Sequence, residues 1–333
     1  MIDIVLLAFL VITAIAIVRM KDLFAVIMLL GIYSLLSASF FVAMDAVDVA
    51  FTEAAVGAGV STLLMLVAIT MTGRSENPVR HKPLLALVVV VITGGLLIYG
   101  TLDMPYFGSA AAPIHQHVAP RYINDSMQEV GVPNVVTSVL ASYRAFDTFG
   151  EVVVIFTAGI AVLALLLVVR RPEEIEQIDS LNEKMHEKHL IPRVVTKMMI
   201  PFIMLFAFYV QFHGDFGPGG GFQAGVIFAA AIFLYTMLFG MATARRVINQ
   251  SRIQLFAAIG VLLYGCVGVV SLLNGKEFFD YSALAKDALA GQHLGVLLIE
   301  LGVGITVASV MIIIFFNFAS RKDNPQNDDN KDF

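Results

Sequence analysis

The stretch His293-Leu-Gly-Val-Leu-Leu-Ile-Glu300-Leu-Gly-Val-Gly304 opens an apolar run that continues to Phe318 with Glu300 as its one charged side chain. About 20 apolar residues are enough to cross the ~30 Å of a bilayer's hydrocarbon at 1.5 Å per residue, so the run reads as a membrane span. An ionised group inside lipid costs about 2.5–3.5 kcal/mol on insertion scales, and such a residue normally faces a partner, a water-filled cavity or an ion path. Eight comparable runs precede this one: 2–18, 23–44, 47–72, 83–102, 149–169, 195–212, 221–242 and 253–273, with the ninth at 294–318. The third carries the other carboxylate set among apolar residues, Glu53.

Composition agrees with this reading. Hydrophobic residues make up 58% of the 333 and charged residues 14%, more apolar surface than one soluble core can hide. The expected fold is all-α, a polytopic membrane protein with about nine transmembrane helices whose apolar faces meet lipid or partner subunits. A net charge of −5 without a basic face argues against nucleic acid as a partner. Cys266 is the single cysteine, which rules out an intrachain disulfide or a Cys-based metal cage. Residues 2–18 run into Arg19 and Lys21 without a basic leader or a clear cleavage site, so they read as the first span and not as a signal peptide. With nine spans, 17 of the 21 Lys and Arg fall on one side, opposed by Arg121, Arg144, Lys276 and Lys286. The positive-inside rule then places the N-terminus outside and the C-terminus in the cytoplasm.

Two segments interrupt the pattern. The outer loop from Asp103 to Thr148 is longer than a helix connection requires, and Val135, Val136, Val139, Leu140, Tyr143 and Phe146 recur in it at helical spacing. That spacing predicts an amphipathic helix on the membrane surface or against a partner. The segment Arg171–Pro192 holds Glu173, Glu174, Glu176, Asp179, Glu183, Lys184, Glu187 and Lys188 and reads as a solvated cytoplasmic linker. The tail after Ser320, rich in Asp and Asn, has the composition of a disordered segment.

The residues able to carry chemistry are few. Glu53 shares a helical face with Gly57, while Ala50, Ala54 and Ala58 form a small-residue ridge that lets another helix approach closely. It is either a structural partner for a neighbouring base or a protonatable, cation-binding station. His293 precedes Glu300 by seven residues on the same helical face, about 10 Å away at 1.5 Å per residue, as an entry route with a titratable mouth requires. The plainer alternative for Glu300 is an interhelical hydrogen bond. Arg144, Asp147 and Glu151, three and four apart, are placed on one face where the outer loop enters span five, as a structural clasp or as a device that orients the carboxylates. The run from His213 through Gly214, Gly217, Gly219, Gly220 and Gly221 to Gln223 lacks the preceding strand and the Lys-Ser or Lys-Thr of a nucleotide loop. It reads as a sharp turn whose backbone groups face a helix, water or a cation, with His213 and Gln223 as side-chain partners. His115 and His117 have no further ligands at suitable spacing. No nucleophile with its base, no cofactor site and no metal site emerges, which disfavours an enzyme with its own chemistry.

Tyr209-Val-Gln-Phe-His-Gly-Asp-Phe-Gly-Pro-Gly-Gly-Gly-Phe-Gln-Ala-Gly225 and Glu300-Leu-Gly-Val-Gly-Ile-Thr-Val307 resemble the B subunit of Mrp-type multisubunit Na+/H+ antiporters, over about 192–320. The second histidine of that family's His-Gly-His pattern is Asp215 here. Asp48-Val-Ala-Phe-Thr-Glu-Ala-Ala-Val-Gly-Ala-Gly59 resembles the D subunit of membrane-bound hydrogenases and the tail of the A-type antiporter subunit. Residues 134–151 resemble the E subunit of the same group. Both front regions are also similar to the J-type subunit of complex I.

The resemblance implies a fusion: a D-like three-helix module at 1–75, an E-like two-helix module at 76–171, the linker at 172–192, a B-like four-helix module at 193–320 and the tail at 321–333. It implies a membrane subunit of a complex exchanging Na+ for H+, with the other antiporter subunits as partners, among them an A-type subunit lacking its D/E-like tail. Two alternatives stay open: an ion-translocating subunit of an energy-converting oxidoreductase such as a membrane-bound hydrogenase, and a scaffold without an ion path.

Overall fold

The computed structural model describes residues 1–76, 83–106, 108–166 and 190–321. Among them, nine helices are long and apolar enough to cross a membrane. They are α1 (Ile2–Arg19), α2 (Leu23–Ala43), α3 (Val47–Glu53, continuing through 54–72), α4 (Pro83–Gly100), α5 (Ala145–Leu166), α6 (Leu190–His213), α7 (Gly221–Phe239), α8 (Gln250–Leu273) and α9 (Ala288–Arg321).

Helix ends follow local chemistry. Asp22 caps α2 by accepting from the backbone N–H of Phe24 and Ala25, and Asn249 caps α8 through Ser251. Gly73 and Gly240, at φ +92° and +84°, stop α3 and α7 in a conformation that side chains disfavour. The starts of four spans, α5, α6, α8 and α9, lie earlier than their apolar runs suggest. The Asp287 carboxylate accepts from the N–H of Ala290, so α9 begins at Ala288 and not at 294. Helix α5 takes in Ala145–Thr148 and starts immediately after Arg144, whose φ −122° and ψ 31° leave the helical region. Residues 190–192, expected to be linker, form the first turn of α6. The rest of the expected linker and the tail beyond Arg321 lie outside the described residues.

Between Ala54 and Ser61, α3 widens into a π-helix, and the Thr62 hydroxyl just beyond it donates to the Gly57 carbonyl at 3.2 Å. The outer loop also departs from the single amphipathic helix its spacing predicts. It forms an α-turn at Val135–Ser138 and a π-turn at Val139–Tyr143 before breaking at Arg144. Its buried face is Thr137, Ser138 and Ala141, while Leu140 and Phe146 are 49% and 69% exposed.

Helix α9 is the hub, touching α3, α5, α6, α7 and α8. Glycines make the close crossings possible: Gly225 of α7 lies against Gly304 and Val307 of α9, and Gly260 of α8 against Gly302 and Thr306. Aromatic rings close one end of the bundle, where Phe149, Tyr264, Phe278 and Phe279 stack with centroids 4.2–5.8 Å apart. Tyr264 and Tyr281 are fully buried, and their hydroxyls donate to the carbonyls of Ala145 (2.8 Å) and Ala141 (2.9 Å). Burial pushes the Tyr281 hydroxyl above its usual range and keeps it a neutral donor. Helices α1 and α4 bury almost nothing, and their Leu, Ile and Val side chains face outward. In water each such side chain would forgo about 1.5–3 kcal/mol of burial, a cost that lipid or a partner helix removes. The chain is a multi-pass membrane protein.

Candidate functional site

The turn at 214–220 folds back onto α9. A Cβ on Gly214 or Gly220 would come within 3.2 Å of Glu300 Oε1, so glycine is what lets the turn close over that carboxylate. Gly220 also needs glycine for its φ of +109° as it starts α7. The turn is held by the outer loop: Asn134 Nδ2 donates to the carbonyls of Gly214 and Gly217, each at 3.1 Å, and the Thr137 hydroxyl donates to Gly214 O at 2.6 Å. The Asn134 N–H donates to Asp215 O at 3.0 Å.

Beneath this turn lies a cavity of about 330 Å³. Its walls come from α3 (Asp48, Thr52), the outer loop (Thr137, Leu140), α5 (Glu151), the glycine turn with Gln223, and α8 and α9 (Tyr264, Glu300). Three carboxylates, Asp48, Glu151 and Glu300, therefore share one space. Gln223 Nε2 donates to Thr52 Oγ1 at 2.7 Å and ties α7 to α3. Asp48 Oδ1 accepts from Asn134 Nδ2 at 3.3 Å. Such an arrangement can hold and pass a proton or a small cation among oxygen ligands.

Glu300, Glu151 and Gln223 are thus brought together, and the other expected residues are not. Glu53, one residue from Thr52, faces away from the cavity toward α2: a Cβ on Gly57 would lie 2.5 Å from Ser34 Oγ and 2.8 Å from Glu53 Oε1. His293 does not line the cavity. Its Nε2 lies 3.0 Å from the Gly131 carbonyl and its Nδ1 3.7 Å from Asp215, clasping the outer loop and the glycine turn to α9. Burial pushes the Asp215 carboxyl up, and the neighbouring His293 opposes that shift. Arg144 and Asp147 pair at 2.6 Å, both more than half exposed, while Glu151 turns into the cavity, so the expected triplet divides. His213 stacks on Tyr209 with centroids 4.9 Å apart and packs beside Gly217.

Sequence reasoning missed Asp48, Thr52 and Asn134. Asp48 and Thr52 are one helical turn apart, and the Thr52 hydroxyl donates to Asp48 O at 3.0 Å. That i, i+4 spacing of polar residues at the start of a span was the available signal. Locally Asn134 is an N-cap, its Oδ1 accepting from the Val136 N–H, and only its Nδ2 partners, 80 and more residues away, tie it to the site.

Comparison with known proteins gives three family matches in succession: the D subunit of MBH over residues 8–74, the E subunit of MBH over 85–183 and "Domain related to MnhB subunit of Na+/H+ antiporter" over 191–313. The probable K+/H+ antiporter A/B subunit of Rhizobium meliloti (strain 1021) is 27% identical over 326 residues, covering 89% of this chain and 32% of that protein. The putative antiporter subunit mnhB2 of Staphylococcus haemolyticus (strain JCSC1435) is 30% identical over 143 residues, 41% of this chain and 99% of the relative. In fold, the chain resembles the Mrp complex from Dietzia sp. DQ12-45-1b, with TM-score 0.73 and 22% identity over 95% of this chain and 34% of that one. It also resembles the membrane-bound sulfane sulfur reductase, an archaeal respiratory membrane complex, with TM-score 0.53 and 25% identity over 71% of this chain and 97% of that one. The chain thus spans about a third of the length of the Rhizobium relative and of the Mrp chain. Because it contains nearly the whole of the staphylococcal subunit's length, and its 191–313 region matches the corresponding family model, the chain belongs to the MnhB family of Na+/H+ antiporter subunits, preceded by MBH D-like and E-like regions.

Proposed function

We propose that this protein is a plasma-membrane subunit of a Mrp-type monovalent cation/H+ antiporter complex, supplying both a polar ion route and assembly surfaces. The observation that carries this reading is the cavity where Asp48, Glu151 and Glu300 meet, since its walls are drawn from all three family-matched regions. A scaffold would have no need to gather three carboxylates from separate segments. The route passes through Glu300, with Glu151, Asp48 and Gln223 as neighbours. Glu53 is a second candidate station on the α2 side of α3, and His293, His213, Arg144 and Asp147 set the outer rim. The modules divide at 1–75, 76–171 and 193–320, and the partner is an A-type subunit without its D/E-like tail. One elementary charge crossing 100 mV is worth about 2.3 kcal/mol, so a single uncompensated charge per cycle couples such exchange to membrane potential.

Expressed without its partners, the chain is expected to show no cation-dependent proton movement in vesicles, because its spans carry no lysine–glutamate relay of their own. Coexpression with the other subunits should restore exchange, and robust Na+/H+ exchange by the purified single chain would overturn the reading. The chain is oriented with its N-terminus outside and its C-terminus in the cytoplasm. A reporter fused after Phe333 should therefore report cytoplasm and one inserted at Ser109 the outside. The same location for both reporters would remove the nine-span topology.

A second reading, as the ion-translocating subunit of a redox-driven complex, is favoured by the match to almost the full length of the sulfane sulfur reductase chain. Copurified subunits bearing iron–sulfur motifs would select it over the antiporter.

A further inference from the structure

A second cavity, about 470 Å³, lies between α6, α7, α8 and α9. It follows α9 from Leu301 to Ile312, ~16 Å at 1.5 Å per residue, about half the ~30 Å hydrocarbon thickness and so the depth of one leaflet. Small residues lay its floor, Ala224 and Gly225 of α7 with Gly304 and Ala308 of α9. Its rim is Phe208 and Phe212 of α6 and Phe256 of α8, each more than half exposed, so the space opens sideways out of the bundle. Along its length the polar residues are Gln211 and Ser309, and both are buried.

Exposed polar groups mark one end. Gly260 of α8 meets Gly302 and Thr306, and Tyr264 meets Gly302, so α8 runs antiparallel to α9. Arg252 therefore lies ~12 Å along α8 from Gly260, toward the Ile312 end, with Asn249 beside it. Both are exposed. Among the described residues Arg252 forms no ion pair, and it sits in the first turn of α8, where the positive end of the helix dipole disfavours a cation. The segments 190–200, 240–253 and 313–320 at this end carry Arg193, Lys197, Arg245, Arg246 and Arg252, and none holds an Asp or Glu. An anion is the complement this end lacks.

Shape narrows the occupant. A volume of 470 Å³ over ~16 Å gives a mean cross-section of roughly 30 Å², against about 80 Å² for a helix 10 Å across, so the slot admits an extended chain and not a partner helix. An extended peptide would leave its backbone N–H and C=O groups unpaired against apolar walls. An acyl chain has no such groups.

We propose that this cavity holds one acyl chain of an anionic phospholipid, with the lipid's phosphate on Arg252. Basic pockets between membrane helices take anionic headgroups, and a guanidinium offers phosphate two parallel N–H donors. The lipid covers the small-residue floor behind the α7–α9 crossing and neutralises the cation at the start of α8. This site goes beyond the antiporter reading and does not depend on it.

The test uses the assembled complex in phosphatidylcholine vesicles containing a trace of phosphatidylglycerol with a photoactivatable acyl chain. Irradiation should label the α6 and α8 peptides that carry Phe208 and Phe256. Replacing part of the phosphatidylcholine with unlabelled phosphatidylglycerol should suppress that labelling, whereas the zwitterionic phosphatidylethanolamine should not. Arg252→Gln should lower the labelling about tenfold, the worth of one charge-assisted hydrogen bond, and Arg252→Lys should recover part of it. Equal suppression by phosphatidylethanolamine marks unspecific boundary lipid and overturns the inference. So does unchanged labelling in Arg252→Gln, or suppression by a neutral isoprenoid quinone and not by phosphatidylglycerol. Absence of label from both peptides, which a partner subunit lying over the rim would give, overturns it too. The lipid competition is read in the unmodified complex, so it decides the matter even where Arg252→Gln fails to assemble.

Discussion

Glu300→Gln is expected to reduce cation/proton exchange by the assembled complex at least about tenfold, equivalent to ~1.4 kcal/mol on the limiting barrier, without lowering the yield of complex. The substitution keeps the side chain's shape and most of its hydrogen-bonding capacity while abolishing titration, so the glycine turn still closes over it. An alanine there would confound the result by opening a cavity and leaving neighbours unpaired. Glu53→Gln provides the comparison. Glu53 lies against Ser34 and Gly57, outside the cavity that holds Asp48, Glu151 and Glu300. Its loss tests a separate polar station on the α2 side. Exchange measured with a pH-sensitive dye, normalised to copurified subunits, is the readout. A wild-type rate with unchanged pH and Na+ dependence in Glu300→Gln would return the residue to a packing role, and the same result in Glu53→Gln would do so for that residue alone.

The second large effect is steric. A Cβ at Gly221 would lie 2.9 Å from the Gly304 nitrogen and 3.0 Å from the Glu300 carbonyl carbon, and closer still to the carbonyl oxygen. All three are backbone atoms inside a helix, with no side-chain rotamer available to relieve the contact. Gly221→Ala must therefore move α7 away from α9, at a cost of about 3 kcal/mol, the upper end of what overpacked cores show. The expected outcome is a sharp fall in the amount of complex recovered, with exchange falling in parallel. Gly94→Ala is the control, since a Cβ there meets nothing within 4 Å and an alanine suits a helix interior better than glycine. Normal recovery of Gly221→Ala would show that the α7–α9 seam is looser than its backbone contacts require.

The spans were legible because a bilayer demands length and apolarity, and both are written locally in the chain. Glu300 and the glycine turn could be linked to polar function because a carboxylate and a glycine run are each anomalous in a span. Pairing between segments was not legible. His293 has the spacing of a mouth for Glu300, yet its contacts are with Asp215 and Gly131, which belong to other segments. Asp48 resembles an ordinary acidic residue at a helix N-terminus, where the dipole favours it, and only Asn134 and the cavity give it a further setting. Thr52 and Glu53 are adjacent in sequence but face different neighbours, a choice that depends on how α3 is rotated in the bundle. The π-helical stretch at 54–61 shifts that rotation, and small-residue composition does not distinguish a five-residue repeat from a four-residue one.

The hydrogen bonds that enclose the carboxylate cavity join residues far apart in the chain. Thr52 waits for Gln223, 171 residues later, Ala141 for Tyr281, 140 later, and Ser142 for Gln292, 150 later. At roughly 5–20 residues per second of synthesis, these partners emerge on the order of ten seconds apart. A nascent chain that has inserted its first helices has Asp48 and Glu151 but neither the glycine turn nor Glu300 to complete the chamber. The chamber is therefore complete only when the last helix enters the bundle, and no part-synthesised chain holds it.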